Sequence, residues 1–225
     1  ARELQTFFPL KSEKLSVIPL GVAPRPKSSE PSPLTRPYAL FIGRLERKKN
    51  IANLVAAYAQ YRTLTPTPVD LVLVGRPGTG FAEAEKIIAA HNLHGVVHQF
   101  PWQPAPAIDR FLTHARSFVF ISRYEGFGLP AIEAMAAEIP VLASTAGSLP
   151  EVCGNAAILV APENIQDIAK GLVAVNHDEP RRRELVERGK RRAAEFSWDR
   201  CAEQTLDILL AERTDLQKNP KIGTV

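Results

Sequence analysis

Short apolar runs, each too brief for a helix and each followed by a stretch of helical periodicity, recur along most of this chain. YALFIG (38–43) leads to a helical stretch from Ile51 to about Arg62, with Leu54, Val55 and Tyr58 on one face. VDLVLVG (69–75) leads to FAEAEKIIAAHNL (81–93), and VVHQF (96–100) to AIDRFLTHA (107–115). SFVFIS (117–122), LPAIEAMAA (129–137), PVLAS (140–144) and AAILV (156–160) continue the alternation, and three helical segments follow at 164–176, 180–195 and 199–211. Runs that are apolar on both faces are strands of a covered, parallel sheet. Strand–helix alternation through short connections builds right-handed βαβ units. The expected fold is therefore α/β, a doubly wound, mostly parallel Rossmann-like sheet with C-terminal helices. Such sheets bind ligands outside the carboxyl ends of their strands, so chemistry is sought just after each strand.

The segments on either side of this pattern read differently. Residues 1–37 hold the apolar run LSVIPLGV (15–22) and then PRPKSSEPSPLTRP, which has neither period nor core residues. We expect 1–37 to be an inter-domain linker with one short strand, 38–212 the Rossmann-like domain, and 213–225 a tail. The chain opens ARELQTFFP and Met135 is its single methionine, which favours a fragment of a longer enzyme. The net charge of +4 is modest, and the basic runs RLERKK (44–49) and RRREL (181–185) lack interleaved aromatics, against a nucleic-acid partner. Cys153 and Cys201 stand alone, which excludes a disulfide framework or zinc site and fits a reducing cytoplasm. No apolar run approaches membrane-spanning length, although peripheral attachment to the inner face of the membrane stays open.

After the first strand, GRLERKKN places Gly43, Arg44 and Lys49 near a strand end. Arg offers a bidentate fork to phosphate oxygens and Lys a compact point charge. After the second, GRPGTGF (75–81) lacks both G-x-G-x-x-G and a Walker Lys-Ser/Thr pair, leaving Arg76 a weak candidate. Trp102, after the third, fits a nucleobase contact or packing. The fourth strand delivers SRYEGFGLPAIEAM (122–135). Gly126 and Gly128 allow close backbone approach, and Pro130 suits a first helical turn. The free N–H groups of that turn, around Phe127, Gly128 and Leu129, form an anion site. Glu125 and Glu133 flank it, and carboxylates accept hydrogen bonds from hydroxyls. Two such acceptors around a diphosphate site suit a nucleotide sugar, one for each sugar. In STAGSLPEV (144–152), Gly147 allows a second backbone approach and Glu151 reads as structural. His91, His94 and His98 straddle a helix-to-strand change, so no metal site is expected.

GRLERKKN, SRYEGFGLPAIEAMAAEIPVLAS, GSLPEV and EFSWDR, in this order, resemble the C-terminal domain of the retaining glycosyltransferases of family 4, nucleotide-sugar enzymes with two Rossmann-like domains (the GT-B architecture). The resemblance runs from about Val17 to about Leu210, and the E-x7-E pair Glu125 and Glu133 is its most specific component. It implies that Arg44 and Lys49 hold the diphosphate of a GDP- or UDP-sugar, with the amides near Phe127, Gly128 and Leu129. It further implies that Glu125 faces the donor sugar and Glu133 the ribose, and that no metal is required. Retention in this family is attributed to same-face attack, so Glu125 is not assigned as a nucleophile. Mannose is mildly favoured by likeness to polysaccharide mannosyltransferases. The glycan or glycolipid acceptor would bind an N-terminal domain that no segment here resembles, and Leu20 stands where many members place Asn. The competing class is a non-catalytic nucleotide-sugar-binding module or subunit of a split transferase. A sugar epimerase or dehydrogenase would need G-x-G-x-x-G and Tyr-x-x-x-Lys, which are missing.

Overall fold

The computed structural model describes residues 2–218. Six strands form one sheet: β1 (Tyr38–Ile42), β2 (Asp70–Val74), β3 (Val97–Phe100), β4 (Ser117–Phe120), β5 (Val141–Ser144) and β6 (Ala157–Val160). Their order is β3-β2-β1-β4-β5-β6 and every pair is parallel, with Tyr38 opposite Asp70 and Ala39 opposite Ser117. Each expected strand of the repeating pattern is present. The central ones are buried, with only Ile42 at the end of β1 half-buried, as two-sided coverage demands.

The first helix, α1 (Arg2–Phe7), precedes the sheet, and the crossovers are α2 (Ile51–Leu64), α3 (Phe81–Ala90), α4 (Ala105–His114), α5 (Leu129–Ala136) and the short α6 (Leu149–Cys153). After β6 come α7 (Ile165–His177), α8 (Glu179–Ala194) and α9 (Trp198–Lys218). Helix α2 packs on α3 and α7, whereas α5 packs on α8, so the sheet carries two helix groups. Phe41, Phe118 and Phe120 stack at the centre, with neighbouring ring centroids 6.0 Å apart. Two buried tyrosine hydroxyls are satisfied: Tyr38 donates to the Phe111 carbonyl at 2.7 Å and Tyr58 to that of Val69 at 2.9 Å. Burial pushes both phenols above their ordinary range.

The chain divides into two units, one of residues 24–195 and one of residues up to 23 together with those from 196 onward. In the second unit, the short strand expected within 15–22 does not form. The stretch is extended but enters no ladder: Pro19 has no N–H to give, and the Val22 N–H goes to the Phe196 carbonyl at 3.2 Å. Helix α9 runs on to Lys218, so residues 213–218 of the expected tail are helical, and residues 219–225 lie outside the described residues. In the larger unit, the Pro/Ser-rich stretch from Pro24 is tied down rather than loose. Ser28 N–H donates to Thr113 Oγ1 at 2.9 Å and Arg110 Nε to the Pro31 carbonyl at 2.7 Å, so side chains of α4 hold a segment that has no secondary structure of its own.

Candidate functional site

Strands β1 and β4 are neighbours, yet the chain leaves β1 toward β2 on one side and β4 toward β5 on the other. Their following loops diverge, and the crevice between them at the carboxyl edge is the switch point at which doubly wound sheets bind ligands. The loops after these two strands carry Gly43 to Lys49 and Glu125 to Gly128. Arg123 fastens them together. Its N–H donates to the Lys48 carbonyl and its Nη1 to the Arg47 carbonyl, both at 2.9 Å. Its guanidinium also holds Glu163 bidentately, with Nε to Oε1 at 2.6 Å and Nη2 to Oε2 at 3.1 Å. The same hydrogen bonds hold the Arg123 pKa above and the Glu163 pKa below their ordinary values. Below them, Asn50 Nδ2 donates to the carbonyls of Ile121 and Pro162, tying the ends of β4 and β6.

Lys49 and Glu125 meet in this crevice, with Lys49 Nζ 2.6 Å from Glu125 Oε1. The pair is largely withdrawn from water, with side-chain exposures of 17% and 9%. The ammonium also lies 5.1 Å from the centre of the Phe120 ring, a cation–π contact that helps offset its desolvation. Glu125 is fixed from behind. Its carbonyl accepts from Ser148 N–H at 3.1 Å and Ser148 Oγ at 3.0 Å, and the Phe127 carbonyl accepts from the same hydroxyl at 2.7 Å. Gly147 does make a close backbone approach, but to the protein itself: a Cβ there would stand 2.6 Å from the Glu125 carbonyl oxygen.

Gly128 opens α5 with φ of 99°, a conformation that L side chains rarely adopt, and a Cβ there would also lie 2.6 Å from Leu149 Cδ2. Pro130 falls in the first turn, and no side chain caps the helix. The positive end of the α5 dipole therefore faces the loop that carries Glu125 to Phe127. At the start of the other loop, Gly43 and Gly75 have φ of 150° and 155°, and a Cβ on Gly75 would lie only 1.9 Å from the Gly43 carbonyl oxygen. The two strand ends can approach so closely only because Gly75 has no side chain.

Glu133, one turn into α5, has a partner that nothing in the spacing signals. Arg25 Nη2 donates to its Oε1 at 2.8 Å, and Arg25 Nη1 donates to Asp109 Oδ1 of α4 at 3.2 Å. Burial pulls the Arg25 pKa down, but the two carboxylates outweigh it and hold the guanidinium above its ordinary value. Arg44 does not join Lys49 and Glu125. Its guanidinium is exposed, 3.5 Å from Glu46, and packs over Gly78. Arg76 and Trp102 are exposed, and the Glu151 carbonyl accepts from Arg192 Nη2 at 2.7 Å. His91 and His94 are exposed while His98 Nε2 lies 2.9 Å from Asp70 Oδ2; among the described residues no three His, Cys, Asp or Glu side chains are grouped to hold a metal.

The family profile for glycosyl transferases group 1 matches residues 24–192. The chain belongs to the group 1 glycosyl transferases. Within that family, it is 34% identical over 170 residues to an O-antigen chain mannosyltransferase B of Escherichia coli, covering 76% of this chain and 45% of the relative. It is 32% identical over 213 residues to an MMP alpha-(1->4)-mannosyltransferase of Mycolicibacterium hassiacum, covering 92% of this chain and 51% of that protein. Among solved structures, sucrose-phosphate synthase of Thermosynechococcus elongatus superposes with a TM-score of 0.70 at 30% identity, over 80% of this chain and 46% of that one. The chain spans about half the length of the curated group 1 relatives it matches. The family match begins at residue 24, so it includes Arg25 and the tied-down segment that was expected to be a linker.

Proposed function

We propose that this chain is the donor-binding half of a retaining glycosyltransferase that takes a hexosyl group, mannose by preference, from a nucleoside diphosphate sugar. The observation that carries this reading is the Lys49–Glu125 pair, 2.6 Å apart beside the uncapped start of α5 at the β1–β4 switch point. A diphosphate entering the crevice would meet the α5 amides and the Lys49 ammonium. Arg44, exposed at the rim, would swing from Glu46 onto the outer phosphate. Glu125 would then turn its oxygens to the hydroxyls of the donor sugar, and Glu133 would face the ribose.

In the transfer, the bond between the anomeric carbon and the β-phosphate oxygen breaks, and its electron pair leaves with the diphosphate. The acceptor hydroxyl oxygen bonds the same carbon from the same face and gives its proton to the departing phosphate. Negative charge therefore grows on the diphosphate, where Lys49 and the α5 dipole would meet it and to which Arg44 would swing. In this reading those protein groups meet the charge without a metal ion. A glycan or glycolipid acceptor would be presented by a second Rossmann-like domain. The work would be cytoplasmic, with attachment to the inner membrane face left to that longer protein; no described helix is long and apolar enough to cross a membrane.

Titration calorimetry with GDP-mannose, GDP, UDP-glucose, UDP and nucleoside monophosphates tests this reading. Binding of a diphosphate nucleotide that weakens at least about tenfold in Lys49→Met, as expected for loss of a charged hydrogen bond, supports it. Absence of binding by every nucleoside diphosphate would reject the site.

A further inference from the structure

The segment that leads into the sheet places a guanidinium between two helices of the donor crevice. Arg25 reaches Glu133 on α5 at 2.8 Å and Asp109 on α4 at 3.2 Å, and all three side chains are substantially buried, with exposures of 21%, 32% and 12%. Its planar fork fixes both carboxylates at once, with less freedom than a lysine would leave. It occupies one oxygen of Glu133, Oε1; the described residues provide no hydrogen bond to the other, Oε2. A carboxylate pinned through one oxygen presents the second in a fixed direction, with its lone pairs open to donors from outside.

We propose that Arg25 is a positioning residue of the donor site, holding Glu133 so that Oε2 accepts hydrogen bonds from the ribose hydroxyls of a nucleoside diphosphate. The inference rests on the reading of Glu133 given above. Arg25 itself acts through Glu133 and touches no reacting atom. Two neighbouring contacts support a built arrangement. Thr113, one turn beyond Asp109 on α4, accepts from Ser28 N–H at 2.9 Å while its own hydroxyl donates to the Asp109 carbonyl at 2.7 Å. The segment carrying Arg25 is thus held to α4 just beyond the ion pair. A purely structural clamp between α4 and the preceding segment is already supplied by Arg110, which donates to the Pro31 carbonyl. What Arg25 adds is the link to Glu133.

The test compares three probes on the chain and its variants: the ribonucleoside diphosphate that binds best, its 2′,3′-dideoxy counterpart, and inorganic pyrophosphate. The unmodified chain should prefer the ribonucleotide at least about tenfold, the effect of one hydrogen bond to a charged acceptor. Arg25→Ala should cut that preference to less than about threefold while leaving pyrophosphate affinity within about twofold, because the phosphate end is held by other groups. Arg25→Lys, which keeps the charge and loses the fork, should restore part of the preference. An undiminished ribose preference in Arg25→Ala would overturn the proposal, as would an equal loss of pyrophosphate and nucleotide affinity, which marks a merely structural role. If Arg25→Ala does not fold, Asp109→Asn releases one side of the fork, and a ribose preference that stays undiminished there overturns the proposal equally. Glu133→Gln separates the two levels: a preference unchanged in that variant defeats the ribose reading itself, whereas a preference lost in Glu133→Gln and kept in Arg25→Ala defeats only the role of Arg25.

Discussion

Replacing Lys49 with methionine keeps most of the side chain's apolar stem but deletes the ammonium, which lies 2.6 Å from Glu125 and over the Phe120 ring. Glu125 then becomes a carboxylate with a side-chain exposure of only 9% and no cation beside it. Removing one partner of a fully buried ion pair costs about 3–5 kcal/mol. Lys49 retains 17% exposure, so some water can reach the orphaned carboxylate and the expected loss is about 2–3 kcal/mol. For a chain of this size that corresponds to a fall in melting temperature of roughly 4–12 °C, read by circular dichroism with urea titration as a second measure. The diagnostic variant is the double replacement Lys49→Met with Glu125→Gln. Once the charge that lost its partner is gone, about half or more of the stability should return, since a neutral pair of similar volume is tolerated far better than a lone buried charge. A double variant less stable than Lys49→Met alone, or a single variant within about 0.5 kcal/mol of the unmodified chain, would refute the claim that these two charges stabilise each other out of water.

Gly128→Ala should lose about 1–2 kcal/mol in denaturant unfolding, because φ is 99° there and the new Cβ meets Leu149; adding Leu149→Ala should not restore the strained backbone. Glu163→Ala leaves the Arg123 fork without its carboxylate, and a severalfold weaker nucleoside diphosphate affinity with little change in melting temperature is expected by calorimetry, since both side chains are partly exposed. His177, beside the Tyr61 hydroxyl at 2.7 Å, has its pKa lowered from 6.5 by burial and then by Arg116 and Arg182. The unfolded chain therefore takes up this proton more readily, so stability is full above pH 6.5 and falls as the pH drops from there through the lower folded value. His177→Gln should flatten that part of the pH–stability curve.

The sheet was legible because its strands are short, apolar on both faces and evenly separated by helices, a pattern only a covered parallel sheet satisfies. The edge proposed to take the ligand was marked too, since the glycines at 43, 75, 126 and 128 follow strand ends. The meeting of Lys49 with Glu125 was within reach for the same reason: adjacent strands of a known topology bring their loops together. Arg25 was not legible. It sits in a proline-rich stretch without period, and its partners lie 84 and 108 residues away, joined by no repeating pattern. Arg123 and Glu163 escaped likewise, because one charged residue in a loop carries no mark of the carbonyls or carboxylate it will reach. The short strand expected at 15–22 failed for the opposite reason. Apolar composition indicated a strand, but strands need partners, and the described residues offer that stretch none. Arg44 shows a further limit: proximity in sequence to Lys49 did not decide its direction, which is set by Glu46 and Gly78.

The most direct test of the central claim is a crystal structure of the chain soaked or grown with the nucleoside diphosphate that binds best. The expected result is a diphosphate at the β1–β4 switch point, its oxygens within about 3.2 Å of Lys49 Nζ and of the first amides of α5. A nucleotide lodged elsewhere would contradict it. The clearest such outcome would be occupancy of the open depression of about 530 Å³ lined by Leu64, Lys170, Val173 and His177, which lies at the far ends of α2 and α7, away from the carboxyl edge of the sheet.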